Sequence, residues 1–203
     1  GHKGVVAVYD YTTGDIKCLV SSPSYDPNNP PSDVNENSAY EGVYLNRFFS
    51  STYPPGSVFK IITTAAAIEE KDDLDQFRYT CTGSLEVGGD VITCPYAHGA
   101  DMDINQCLAC SCNGAYATLA MELGGSTLAK YVEQAGLLDS LNVNGISTAS
   151  GSFVAEEDGS AYLGWSGVGQ DKDLVNPCSL LAFMGSIANE GEAVVPNLVG
   201  SET

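Results

Sequence analysis

The feature that most constrains this chain is Tyr53-Pro54-Pro55-Gly56-Ser57-Val58-Phe59-Lys60, which runs into Ile61-Ile62-Thr63-Thr64-Ala65-Ala66-Ala67-Ile68. Two prolines and a glycine break whatever precedes, and the segment after them reads as a helix with almost no polar face. Such a helix has to be buried, so the fold must be built around it. Residues three apart share a helix face, which points Ser57 and Lys60 into one cavity. A desolvated lysine loses its proton more readily, and a neutral amine beside a hydroxyl can take the hydroxyl's proton. The bland alternative is a serine that only caps the helix. Against it stands Lys60, since a merely solvated lysine has no reason to lie in the most apolar helix of the chain.

A second element is Ser111-Cys112-Asn113, set within Gln106-Cys107-Leu108-Ala109-Cys110-Ser111-Cys112-Asn113-Gly114-Ala115-Tyr116. Alone it could be a cap for the apolar helix Tyr116-Ala117-Thr118-Leu119-Ala120-Met121-Glu122-Leu123. In serine acyltransferases of the Ser-x-x-Lys type, a Ser-x-Asn triplet supplies a hydroxyl that relays protons and an amide that bonds the substrate.

Further matches run in order along the chain: Gly4-Val5-Val6-Ala7-Val8-Tyr9-Asp10, Thr13-Gly14-Asp15-Ile16, Val20-Ser21-Ser22-Pro23-Ser24-Tyr25-Asp26-Pro27-Asn28 and Leu45-Asn46-Arg47. After the serine motifs and His98-Gly99 come Gly169-Gln170, Asn176-Pro177, Ile187-Ala188-Asn189-Glu190-Gly191 and Val195-Pro196-Asn197-Leu198-Val199. On these residues the chain resembles the transpeptidase domain of penicillin-binding proteins, most of all the class B group. The resemblance implies that Ser57 is an acylated nucleophile, Lys60 its general base, Ser111 a proton shuttle and Asn113 a contact to the substrate amide. It implies peptidoglycan D,D-transpeptidation, with stem peptides and β-lactam antibiotics as partners, no cofactor, and a membrane-anchored parent acting on the extracytoplasmic face of the bacterial membrane.

The family's third motif, Lys-Thr-Gly or Lys-Ser-Gly, has no match. The only lysines after Ser111 are Lys130 and Lys172, and neither precedes Thr-Gly or Ser-Gly. That strand normally offers a cation for the substrate carboxylate and one oxyanion donor. The chain is therefore expected to be a partial transpeptidase domain, a single domain over 1–203, cut from a longer protein, with Gly1-His2 either the remnant of an expression tag or native. A binding or sensor module that holds stem peptides or β-lactams without turnover is the competing reading. No residue pattern assigns a carboxylate to activate a deacylating water, which disfavours a β-lactamase.

Composition sets outer bounds. Eight basic residues against 26 acidic give a formal charge of −18, which argues against binding nucleic acid or anionic headgroups. A hydrophobic content of 43% over 203 residues supports a real core. No apolar run reaches the roughly 18 residues that a membrane span needs.

The cysteines are Cys18, Cys81, Cys94, Cys107, Cys110, Cys112 and Cys178. Cys81 and Cys94 bracket a segment that reads as a hairpin turning at Gly88-Gly89, so they are the candidate disulfide. The alternative is two free thiols packed as core residues. Cys107-Leu108-Ala109-Cys110 has the Cys-x-x-Cys form but, without a second pair or nearby histidines, is weak evidence for zinc and reads better as buried small hydrophobes. No metal site is expected.

The coarse reading places a hairpin over 5–9 and 16–20, a polar loop over 21–50 with one short helix near Leu45, and the Ser57 helix. Further helices are expected at 104–109, 113–123, 126–135 closed by Gly136, and 177–189 framed by Asn176 and Gly191. The fold class is α/β in the broad sense (α+β), β-lactamase-like: an antiparallel sheet with a helical subdomain, the sheet incomplete on its C-terminal side. Exposed strand edges and dimerisation through them follow as expectations.

Overall fold

A computed structural model describes residues 3–170 and 172–199, so Gly1-His2 lies outside the described residues. In chain order the elements begin with β1 (Gly4–Tyr9), β2 (Ile16–Ser22), α1 (Arg47–Ser50) and α2 (Lys60–Glu70). Next are β3 (Tyr79–Cys81), β4 (Ser84–Val87), β5 (Asp90–Thr93) and β6 (Gly99–Met102), then α3 (Ile104–Ala109), α4 (Asn113–Leu123) and α5 (Gly125–Gln134). The order ends with β7 (Asn142–Val143), β8 (Ile146–Ser147), α6 (Ala161–Val168) and α7 (Pro177–Ala188). Every strand ladder is an antiparallel pair: β1 with β2, β3 with β6, β4 with β5, and β7 with β8.

The chain packs as two compact units. The first comprises Gly1–Tyr53, Gly136–Gly151 and Val175–Thr203, the second Pro54–Ala135 and Ser152–Leu174. The sheet half and the helical half of the expected fold correspond to these two units.

In the first unit, β1 and β2 pair from Gly4 with Ser22 to Val8 with Cys18, and the register shifts after Val8. Gly14 turns the hairpin at φ 84°, a conformation that suits a residue without Cβ. Alternation then gives the hairpin two unlike faces. Val5, Ala7, Ile16 and Leu19 pack on a cluster built around Phe48, Phe49, Val143 and Cys178. On the opposite face Val6, Val8 and Val20 are 63%, 53% and 54% exposed, as expected for an uncovered strand pair. Helix α7 begins as its sequence predicts: Asn176 Oδ1 accepts from the backbone of Cys178 and Ser179, with Pro177 in the first turn. The Asn176 amide nitrogen also donates to the carbonyls of Phe49 and Ser51, fastening α7 to the end of α1.

The second unit is built around α2, as its apolar sequence requires. Ile62, Thr63, Ala66 and Ala67 are buried. Burial does not extend to the end of the helix, where Ile68 is exposed beside Glu69 and Glu70. Helices α4 and α6 lie in contact because α6 carries Gly164 and Gly167. A Cβ on Gly167 would fall 2.2 Å from Ala120 Cβ, and one on Gly164 would fall 3.1 Å from Ala117 Cβ. The Thr63 hydroxyl donates to Gly167 O at 2.8 Å and ties α2 to the same seam. The expected hairpin is β4–β5, turning at Gly88 and Gly89 with φ 58° and 94°. Cys81 belongs instead to β3, whose partner is β6. Helix α6 and the pairs β3–β6 and β7–β8 were not foreseen from the sequence.

Candidate active site

The break at Pro54-Pro55-Gly56 leads first into a 3-10 turn over Gly56–Phe59, and α2 starts at Lys60. This departs from the α-helical spacing expected, and it brings the two groups together more directly, because side chains three apart eclipse in a 3-10 turn. The turn is seated on the end of α6. Gly56 N donates to Gly169 O at 2.8 Å, and a Cβ on Gly169 would fall 2.2 Å from Gly56 O. Ser57 is exposed while the Lys60 side chain is fully buried beneath it.

The four residues singled out by sequence come together around the Lys60 amine. Its Nζ donates to Ser111 O at 2.7 Å, to Ser111 Oγ at 2.8 Å and to Asn113 Oδ1 at 2.8 Å, with Ser57 Oγ at 3.3 Å. Ser111 lies between α3 and α4 at φ 54°, the left-handed region, which turns both its carbonyl and its hydroxyl toward the same nitrogen. Asn113 opens α4, and its amide nitrogen donates to Thr93 O at 2.8 Å, so its oxygen faces Lys60. A wall not foreseen from the sequence is Tyr116, buried in α4 with its ring 5.6 Å from Nζ and its hydroxyl 2.7 Å from Thr64 Oγ1. Its position, one helical turn beyond Cys112 and Asn113, was the available signal.

The electrostatics suit a proton acceptor. Among the described residues no carboxylate hydrogen-bonds the Lys60 amine, and burial lowers its pKa to about 8, with the cysteines Cys112, Cys94 and Cys110 acting in the opposite sense. Four acceptors surround a nitrogen that carries at most three protons. Two of them, Ser111 O and Asn113 Oδ1, can only accept. In the neutral amine the two N–H groups satisfy those two, which leaves the lone pair for a hydroxyl of Ser57 or Ser111. The arrangement can thus pass a proton between two hydroxyls through one amine.

The expected Cys81–Cys94 bridge is not formed, and both residues are free thiols. Cys81 Sγ lies 3.3 Å from His98 Nδ1, and Cys94 Sγ lies 3.9 Å from Cys112 Sγ. The hairpin was read correctly, but Cys81 precedes it on a strand paired elsewhere, so the two thiols do not face one another across β4–β5. Cys107 and Cys110 direct their thiols to the carbonyls of Met102 and Cys107, and Cys107 is fully buried in the core. The absence of any metal-ligating cluster, expected from the sequence, is overturned: the ligand atoms of Cys81, Cys94, His98 and Cys112 lie within 4.8 Å of one another. Their irregular spacing along the chain hid them.

Residues 4–203 match the family model of the penicillin binding protein transpeptidase domain. The chain is 32% identical to peptidoglycan D,D-transpeptidase PbpA of Mycobacterium tuberculosis over 214 residues, covering 98% of this chain and 43% of that protein. It is 30% identical to stage V sporulation protein D of Bacillus subtilis over 199 residues, covering 95% of this chain and 30% of that one. The solved penicillin-binding protein A from M. tuberculosis, as its ceftriaxone acyl-enzyme, superposes with a TM-score of 0.85 at 30% identity, covering 98% of this chain and 48% of that one. The chain thus spans less than half the length of these relatives. It belongs to the penicillin-binding protein transpeptidase domain family.

Proposed function

We propose that the chain carries the acylating centre of a peptidoglycan D,D-transpeptidase. The observation that supports this reading most directly is the fully buried Lys60 amine, in reach of the hydroxyls of both Ser57 and Ser111. Neutral Lys60 takes the Ser57 proton as Ser57 Oγ bonds to the carbonyl carbon between two terminal D-alanines. Ser111 Oγ passes a proton to the departing amine, the C–N bond breaks, and D-alanine leaves an ester on Ser57. The amine of a neighbouring stem then attacks that ester, returns its proton by the same route, and forms the cross-link while Ser57 regains its hydroxyl. β-Lactams imitate the D-alanyl-D-alanine end and acylate the same oxygen. The substrate fixes the compartment as the outer side of the bacterial membrane. Among the described residues no helix is long and apolar enough to cross a membrane.

Intact-mass spectrometry of the full-length protein after exposure to penicillin tests this. A single covalent adduct is expected, located on Ser57 and lost in Ser57→Ala. Labelling that survives the substitution removes the assignment, and tight non-covalent binding with no adduct favours a sensor module instead.

A further inference from the structure

Beside the acylating centre, four chain segments deliver four soft donors to one point: Cys81 from the end of β3, Cys94 after β5, His98 before β6, and Cys112 at the start of α4. None of them takes part in the proton route described above. Cys81 and Cys112 are buried, and Cys94 and His98 half-buried. A tetrahedral zinc ion with bonds of about 2.3 Å to sulfur and about 2.0 Å to nitrogen requires edges of about 3.5 Å between sulfur and nitrogen and about 3.8 Å between sulfurs. The two edges formed here, 3.3 Å from Cys81 Sγ to His98 Nδ1 and 3.9 Å from Cys94 Sγ to Cys112 Sγ, bracket those values. A disulfide would use only two of the three thiols and leave the third thiol and the imidazole outside the bond. Three sulfurs and one nitrogen without a carboxylate select zinc over magnesium, calcium or manganese. The supporting shell is in place. Cys94 N donates to Gly83 O at 2.9 Å, which ties the hairpin to the strand end that carries Cys81, and Thr93 O receives the Asn113 amide.

We propose that Cys81, Cys94, His98 and Cys112 bind a structural zinc ion that pins the Ser111–Asn113 turn against Lys60. Cys112 is the middle residue of that turn, and its neighbour Ser111 is held in a left-handed conformation that a non-glycine residue adopts at a cost. Ligation of Cys112 gives the turn an anchor against relaxation. With the three cysteines bound as thiolates and the imidazole neutral through Nδ1, the zinc site carries one net negative charge.

Full-length protein purified without chelator should hold a single zinc ion per chain by elemental mass spectrometry. Exchange into cobalt(II) should give the visible bands of a tetrahedral thiolate site. Cys94→Ser and His98→Ala, which alter the two half-buried donors, should each lower zinc retention by about tenfold or more and shift the cobalt spectrum. Removing the metal should speed amide hydrogen exchange across 111–116 while α7 stays protected. These readouts do not depend on acyl transfer, so the metal site and the transpeptidase reading fail separately. Reduced protein that takes up neither zinc nor cobalt, or zinc retention unchanged in both variants, would overturn the site. Exchange across 111–116 unaffected by metal removal would overturn the pinning.

Discussion

The β1–β2 hairpin and the α2–α4–α6 cluster are both apolar in sequence, yet they handle that character in opposite ways. The hairpin covers one face with Phe48 and Phe49 and leaves Val6, Val8 and Val20 open. The helical cluster leaves Ile68 and Tyr162 open but encloses most of its other apolar side chains, and a lysine with them, and reaches that enclosure with glycines that let α4 and α6 touch. Burial here is what creates chemistry. The same lysine on the hairpin's open face would stay hydrated and charged, whereas within the cluster its amine is brought toward neutrality. Substitutions should therefore be costly in the enclosed region and mild on the open one.

The strongest way to break this contrast is Lys60→Ala. Penicillin acylation in stopped-flow measurements should slow by about 100- to 10,000-fold, the usual worth of a positioned proton acceptor, while non-covalent affinity changes little. A loss confined to affinity would mean that the amine only binds. Next comes Gly167→Val, which forces a side chain into the 2.2 Å approach to Ala120 and should cost about 1–3 kcal/mol in a urea titration. Unchanged stability there would show that the helical seam yields as easily as the strands.

The pH profile sharpens the comparison further. If Lys60 is the proton acceptor proposed above, acylation needs its neutral amine, and the rate should climb as pH rises through about 8 and level off above it. Between pH 7 and 9 the gain should be about tenfold, following the neutral fraction. A flat profile would mean that enclosure does not govern the lysine. The smallest effect is expected from Val6→Thr with Val8→Thr, within about 0.5 kcal/mol of the parent in stability. The same pair should weaken any self-association through the hairpin's open face, read by sedimentation of the protein at rising concentration.

What the sequence disclosed followed the range of each signal. Ser57 with Lys60, and Ser111 with Asn113, are local patterns; α4 begins at Asn113 as its sequence says, while the Ser57 end of α2 winds as a 3-10 turn that the pattern did not disclose. The Asn176 cap and the closure of α5 by Gly136, at φ 69°, are equally local. Helix α6 escaped because Gly164 and Gly167 weaken a helical reading, and only their contact with Ala117 and Ala120 explains them. The cysteine error has the same root. Cys81 and Cys94 look paired along the chain, but β3 takes its partner from β6, beyond the hairpin, and non-local pairing of that kind leaves no trace in spacing.

The backbone at Ser111 sets the interests of folding and of reaction against each other. Its φ of 54° would suit glycine or asparagine better than serine, so a screen for stability alone should favour Ser111→Gly. That variant would lose the hydroxyl that meets Lys60 at 2.8 Å. Random libraries sorted for heat resistance should therefore accumulate inactive chains at this one position, and libraries sorted for turnover should keep a serine there at the expense of melting temperature.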